Sequence, residues 1–250
     1  MKKNTMTLMA AGVCAAVVAQ VANASIMYSS TLTAPPLNAG NLAGQDSWTV
    51  LSGTGSAVQV GSTGTTLVNG GGSREDLVHA LTQITSGQTY YVGFDVKVSA
   101  SANLTSSTYF MAFNNNTIYA TRIFVTSATG SNFTFGLSGN STTATAWGTG
   151  LTFGTSYRVV GSYTQGTNVT NLWVNPTSEL STSITSTASG AININSILLR
   201  QDSGPATELV SNMVVSTTFN EAATYPVIPA PGAVALIGLA GMVSSRRRRN

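Results

Sequence analysis

Residues Thr89 to Val98 read TYYVGFDVKV. Tyr90, Val92, Phe94, Val96 and Val98 alternate with Tyr91, Gly93, Asp95 and Lys97. A period of two is that of a β-strand, whose successive side chains point to opposite faces. An apolar set facing a mixed set predicts a strand with one buried face. On the other face, Asp95 and Lys97 stand two positions apart and read as a solvated charge pair.

Similar short runs recur on both sides of this one, separated by Gly, Ser and Asn. They are Ser56 to Val60, Asp76 to Ile84, Thr108 to Phe113, Thr117 to Ser127, Asn132 to Ser138, Tyr157 to Thr164, Asn168 to Val174, Asn193 to Arg200 and Glu208 to Phe219. Helical periodicity is almost absent. About ten to twelve strands at this spacing describe a β-sandwich or barrel, and no fixed repeat supports a solenoid. Asn69-Gly70-Gly71-Gly72 and Gly166-Thr167-Asn168 are turn sites, because Gly and Asn tolerate positive φ.

The 250-residue chain has a formal net charge of +3. Between Ser25 and Ser245 the bases are Arg74, Lys97, Arg122, Arg158 and Arg200. All eight acids of the chain lie in the same span. Five bases against eight acids leave this body near −3, so the excess basic charge belongs to the two ends. No basic patch is evident for a phosphate backbone, and nucleic acid is set aside as a partner. The one cysteine, Cys14, precedes the body. The body can therefore form neither a disulfide nor a thiolate metal site.

The ends read as addresses. Lys2 and Lys3 precede an apolar run from Leu8 to Val21, and Ala22-Asn23-Ala24 is a small-x-small cleavage site. This predicts a signal peptide over 1–24, export by the Sec machinery and cleavage after Ala24 by signal peptidase. Val227 to Asn250 reads VIPAPGAVALIGLAGMVSSRRRRN. Pro229, Ala230 and Pro231 break the chain, an apolar run extends from Gly232 to Val243, and Arg246, Arg247, Arg248 and Arg249 follow. As a helix the apolar run rises about 18 Å, against a hydrocarbon core of roughly 30 Å. The arginines should stay cytoplasmic, leaving the body outside. Two readings of this tail are open: a transient, processed anchor and a permanent one.

This tripartite tail resembles the PEP-CTERM sorting signal of bacterial surface proteins, which an exosortase-type membrane protease processes. The commonest motif of that family has Glu between the prolines, where this chain has Ala230. The resemblance implies three regions: a signal peptide over 1–24, a body over 25–225 and a sorting signal with its apolar helix over 226–250. It also implies a cell-surface or extracellular-matrix location.

Within the body, Gly44-Gln45-Asp46-Ser47-Trp48, the Leu172-Trp173-Val174-Asn175-Pro176 strand end and a late strand leading to Phe219-Asn220-Glu221 occur in that order. The set resembles the LamG-like, concanavalin A-like jelly rolls often joined to such tails. The resemblance implies an all-β jelly-roll sandwich.

Catalytic constellations are sparse. His79 is the single histidine, lies in an alternating run and has no Gly-x-Ser-x-Gly elbow to serve. Jelly-roll glucanases set alternate acids along one strand, as in Glu-x-Asp-x-x-Glu. Glu75 and Asp76 are adjacent, so a strand throws them to opposite faces. The chain is expected to be no enzyme and to need no cofactor, with calcium at Asp46, Asp202 or Asn175 as an open alternative. The rings available to a sugar are Trp48, Trp147, Trp173, Tyr109, Tyr119 and Tyr163. Trp48 and Trp173 sit in strand context and read as core. Trp147, in a polar Gly-flanked stretch, is the exposed candidate, either a binding platform or an ordinary loop ring. Asn114, Asn115 and Asn116 are either amides for a sugar or a hairpin turn. The expected function is a non-catalytic structural or adhesive surface protein with polysaccharide as possible partner. The alternatives are a lectin with a defined pocket and, more remotely, a glycoside hydrolase.

Overall fold

The computed structural model describes residues 26–224, apart from 69, 71–72, 100–103, 105–106, 117, 128–131, 202–203 and 205. The signal peptide, its cleavage site after Ala24, the Pro229-Ala230-Pro231 motif, the apolar segment and the four arginines lie outside the described residues. No helix among those residues is long and apolar enough to cross a membrane.

The strands are β1 (Ile26–Ser30), β2 (Gly40–Asn41), β3 (Trp48–Ser52), β4 (Gln59–Val60), β5 (Thr65–Val68), β6 (Asp76–Ala80), β7 (Thr89–Val98) and β8 (Thr108–Asn115). They continue as β9 (Ile118–Ser127), β10 (Phe133–Ser138), β11 (Thr145–Ala146), β12 (Ser156–Thr164), β13 (Val169–Val174), β14 (Ile184–Thr187), β15 (Ser196–Leu199) and β16 (Thr207–Ser216). One short helix, α1 (Phe219–Ala223), follows β16.

These strands make two antiparallel sheets, a β-sandwich. One runs β14-β13-β12-β7-β16-β5-β4-β2, with β1 added alongside β16. The other runs β11-β10-β9-β8-β15-β6-β3. In the first sheet Ile26 of β1 stands opposite Ser216 of β16. The inner faces meet in one apolar core that includes Phe94, Val96, Phe110, Phe113, Ile123 and Phe135. Phe94 meets Phe110 edge-on across the sheets with centroids 5.9 Å apart, a favoured aromatic geometry.

The run Thr89–Val98 is a strand with those bounds, but its second face is not solvated. Tyr91, Gly93 and Asp95 lie under α1, where Tyr91, Val160, Trp173, Phe219 and Ala222 form a second apolar cluster. Trp173 is buried as expected, but in this outer cluster rather than between the sheets. Asp95 does not pair with Lys97, which is exposed. It is buried and accepts from Arg158 Nη1 at 3.4 Å and from Asn212 Nδ2 at 2.8 Å. Alternation distinguishes the two faces of a strand; it cannot say what later sequence will cover the more polar one.

The run Glu208 to Phe219 ends as a strand at Ser216, and Phe219 opens α1 instead. The run Asp76 to Ile84 ends at Ala80. The strands Ile26–Ser30, Thr65–Val68 and Ile184–Thr187 carry too few alternating apolar residues to stand out in the sequence.

Candidate functional site

A β-bulge between β8 and β9 builds the most distinctive surface of the body. Met111 opposes Ile123 and Phe113 opposes Ala120, so Ala112 alone faces both Thr121 and Arg122. Thr121 has φ +52°, an uncommon conformation for a β-branched residue. Bulges re-aim the side chains around them. Thr121 turns inward, and its hydroxyl donates to the Ser162 carbonyl at 2.9 Å. It also accepts from the Thr170 hydroxyl at 2.7 Å, so a buried polar chain ties the two sheets together.

Arg122 turns outward. Its guanidinium carbon lies 4.9 Å from the centre of the Tyr109 ring and 5.1 Å from that of Tyr119. Arg200, just past β15, brings its guanidinium carbon within 4.2 Å of the Tyr109 ring. Tyr109 stands 5.9 Å from Tyr119 and 5.6 Å from Phe124 between ring centres. Cation–π contacts of this kind contribute about 0.5–1 kcal/mol each where partly exposed. Two of the five bases between Ser25 and Ser245 thus converge on one ring of an otherwise acidic body. Burial pushes the Tyr109 hydroxyl up from its ordinary value against the pull of Arg200 and Arg122, so it stays a neutral phenol.

The two outer faces of the sandwich differ. The first sheet is capped by α1, whose Ala222 carbonyl lies so close to Gly93 that a side chain there would collide. The face bearing Tyr109, Tyr119 and Arg122 has no described helix across it, since α1 packs on β16, β7 and β12. Tyr109, Tyr119, Arg122 and Arg200 are all half-buried there.

Of the residues expected at a site, Asn114 shares this face, opposite Tyr119. It is only 1 % exposed, and its Oδ1 makes no hydrogen bond among the described residues. Asn115 instead donates to the Asn193 carbonyl at 2.7 Å. Asn116 occupies the hairpin turn with φ +55°, so the turn reading holds for it. Trp147 follows β11, half-buried, with its N–H donating to the Phe135 carbonyl at 2.7 Å. Phe135 pairs with Val125 and Val125 with Thr108, whereas Asn114 lies six residues along β8. That places Trp147 roughly 20 Å along the strands from Asn114. The structure does not bring the two together.

Tyr163 is a core residue whose hydroxyl donates to Asn168 Oδ1 at 2.9 Å and accepts from the Ile192 N–H. Trp48 is fully buried and donates from Nε1 to the Tyr28 hydroxyl at 2.9 Å. His79 packs on both, its ring centre 4.2 Å from Tyr28 and 5.5 Å from Trp48. Burial lowers its imidazole below the ordinary 6.5, with the Ala80 backbone and Asp46 acting weakly the other way.

The paired acids have structural partners. Glu75 Oε1 accepts from the Val58 N–H, and Asp76 accepts from the Gln201 N–H and the Ser52 hydroxyl. Among the calcium candidates, Asp46 lies in a turn at φ +46°. Asn175 Oδ1 accepts from the Arg158 N–H, and Asp202 lies outside the described residues. No group of three His, Cys, Asp or Glu among the described residues is placed to hold a metal ion.

Arg122, Arg200 and Phe124 were not singled out by the sequence. Strict alternation groups Tyr119 with Thr121 and Ile123, and the bulge breaks that count. The one signal available was the convergence of scarce cations on Tyr-bearing strands, which requires knowing the strand pairing.

No protein-family model matches this chain, and neither does any curated protein. Among solved structures, a sialidase is similar over 91 % of this chain and 21 % of its own, with TM-score 0.55 and 14 % identity. The CBM2 module of the evolved Dit of Lactobacillus casei BL23 phage J-1 is similar over 83 % of this chain and 98 % of its own. Its TM-score is 0.50 and its identity 8 %. A botulinum neurotoxin type C structure, concerned with interaction with two ganglioside molecules, gives TM-score 0.49 and 10 % identity over 78 % of this chain and 48 % of that one. This chain therefore spans about a fifth of the sialidase and about half of the neurotoxin chain. At such identities the likeness shows the fold alone: a β-sandwich, shared with the CBM2 module and with part of the sialidase.

Proposed function

We propose that this is an exported bacterial surface protein whose sandwich, a jelly roll of the concanavalin A-like class, acts as a non-catalytic adhesive module toward the envelope or its exopolysaccharide. The observation that carries this reading is the asymmetry of the two sheets. One outer face is closed by the protein's own helix, and the other is left with half-buried rings and guanidinium groups. Rings beside hydrogen-bonding groups suit sugars, which offer apolar C–H faces and hydroxyl edges. The engagement of Glu75 and Asp76 in backbone hydrogen bonds favours binding over glycoside hydrolysis, which needs two carboxylates facing one bond. The CBM2 module of similar fold is consistent with this choice.

The address comes from the ends: an N-terminal export signal cleaved after Ala24 and a C-terminal tail that an exosortase-type protease would process. The test is fractionation and intact-mass measurement in the producing bacterium. Loss of about 24 residues at each end, with release of the surface fraction by polysaccharide-degrading enzymes, is the expected result. A full-length protein held in the inner membrane overturns the sorting part. A surface protein that polysaccharide digestion does not release overturns the adhesive part.

A second reading, a lectin with a defined sugar site, is favoured by the patch around Arg122 rather than by Trp147, which stands apart from it.

A further inference from the structure

We infer that the ligand of the sheet face bearing Tyr109 and Tyr119 is a carboxylate-bearing polysaccharide, a uronic acid polymer, with the carboxylate received at Arg122. This deepens the sugar-binding reading above and rests on it. Three observations converge. First, the guanidinium of Arg122 is fixed by the bulge at Thr121 between the rings of Tyr109 and Tyr119. A planar guanidinium fork matches a carboxylate with two parallel hydrogen bonds, which a neutral sugar cannot reciprocate. Nη1 of Arg122 donates one long hydrogen bond to the Ser141 carbonyl at 3.3 Å.

Second, the charge of the body is concentrated here. Arg200 adds a second cation on the far side of Tyr109, while the body around the patch is net acidic. Two guanidinium groups beside one ring favour an anion at this spot. Asp76 also acts on Tyr109 and accepts from the Ser52 hydroxyl and the Gln201 N–H. That leaves Arg122 as the centre of the site. Two cations are too few for a nucleic-acid backbone, whose binding proteins neutralise many phosphates.

Third, two polar atoms of this face, Arg122 Nε and Asn114 Oδ1, are buried without a hydrogen-bond partner among the described residues. Buried polar atoms are almost always paired. One donor and one acceptor left over in the same patch fit a ligand that carries both a carboxylate and hydroxyls.

The experiment compares binding of the full chain, purified in mild detergent, to polygalacturonate, to its methyl-esterified form and to dextran by affinity electrophoresis. Esterification keeps the sugar backbone and removes the charge. Polygalacturonate should bind about tenfold or more tightly than the ester. Arg122→Gln should lose about tenfold or more of that affinity, and Lys97→Gln, on the other sheet, should lose none. Affinity should fall with salt with a slope reflecting about one charge.

Equal binding of acid and ester, or binding to dextran alone, overturns the carboxylate inference and leaves the sugar-binding reading standing. Binding to none of the three overturns both. Unchanged polygalacturonate binding by a folded Arg122→Gln overturns the site. If that variant does not fold, the acid–ester comparison on the unaltered chain still decides the ligand class, and Tyr119→Ser decides the place.

Discussion

A side chain on Gly93 would place its Cβ 1.6 Å from the carbonyl oxygen of Ala222, so α1 rests directly on the backbone of the central strand β7. Gly93 lies on the face of β7 that its alternation marks as the more polar one. It is there because the helix needs the space.

Gly93→Ala should therefore push α1 off the sheet. Overpacking of this kind costs about 1–3 kcal/mol. The loss should appear in thermal melting. Trp173, whose ring centre is 5.1 Å from Phe219, should gain solvent and shift its fluorescence to the red. An unshifted spectrum with unchanged melting would show that the helix tolerates displacement.

Arg158 holds the same helix from the side. Its guanidinium donates to the carbonyls of Asn212, Ala222 and Thr224 and meets Asp95. Arg158→Met leaves Asp95 buried without its cation, a loss of about 3–5 kcal/mol by analogy with other broken buried pairs. Adding Asp95→Asn should recover part of that, because the remaining group is then uncharged. Urea denaturation of the two variants measures the difference; no recovery in the pair refutes this account of the charge.

Thr121→Val removes the hydroxyl that links the sheets while keeping the shape. Thr170 keeps its bond to the Ser162 carbonyl, so the cost should be modest, about 1–2 kcal/mol. The change should leave the outward course of Arg122 intact. A collapse of polysaccharide binding in this variant, without loss of fold, would mean that the hydroxyl rather than the bulge positions Arg122.

His79 gives the sandwich a pH response. Burial lowers its imidazole below 6.5 in the folded chain, whereas the unfolded chain takes up its proton near 6.5. Below that pH the unfolded state binds more protons, so stability is full above about 6.5 and falls as pH descends toward the folded value. It is the chain's one histidine, so the window between pH 7 and 5.5 belongs mainly to it. Urea midpoints should decline across that window in the natural chain and stay level in His79→Gln. A level curve in both sinks the prediction.

Much of the fold was legible because β7, β10 and β12 alternate and β8 and β9 are apolar runs between turn residues, and the bounds of all five lie within two residues of those the pattern gives. What the pattern hid was tertiary. Asp95 reads as a partner of Lys97 until Arg158, far along the chain, is brought beside it by the pairing of β7 with β12. Arg122 reads as an isolated cation until the bulge at Thr121 turns it to the Tyr face. Of the rings available to a sugar and the amides singled out for one, Tyr109, Tyr119 and Asn114 come together. Trp147 does not, because exposure in a polar loop says nothing about which strands lie near it.

The register of β1 on β16 has a bearing on engineering. Partners in an antiparallel ladder stand about 5 Å apart, and Ile26 is the partner of Ser216. Among the described residues the first strand and the last therefore lie side by side in one sheet. A peptide running from the end of α1 back to Ile26, with the helix kept on its sheet, would permit new termini at the Gly166–Asn168 turn, which lies beyond β12. Such a permutant would display the Arg122 face in a new orientation without altering a single residue of it.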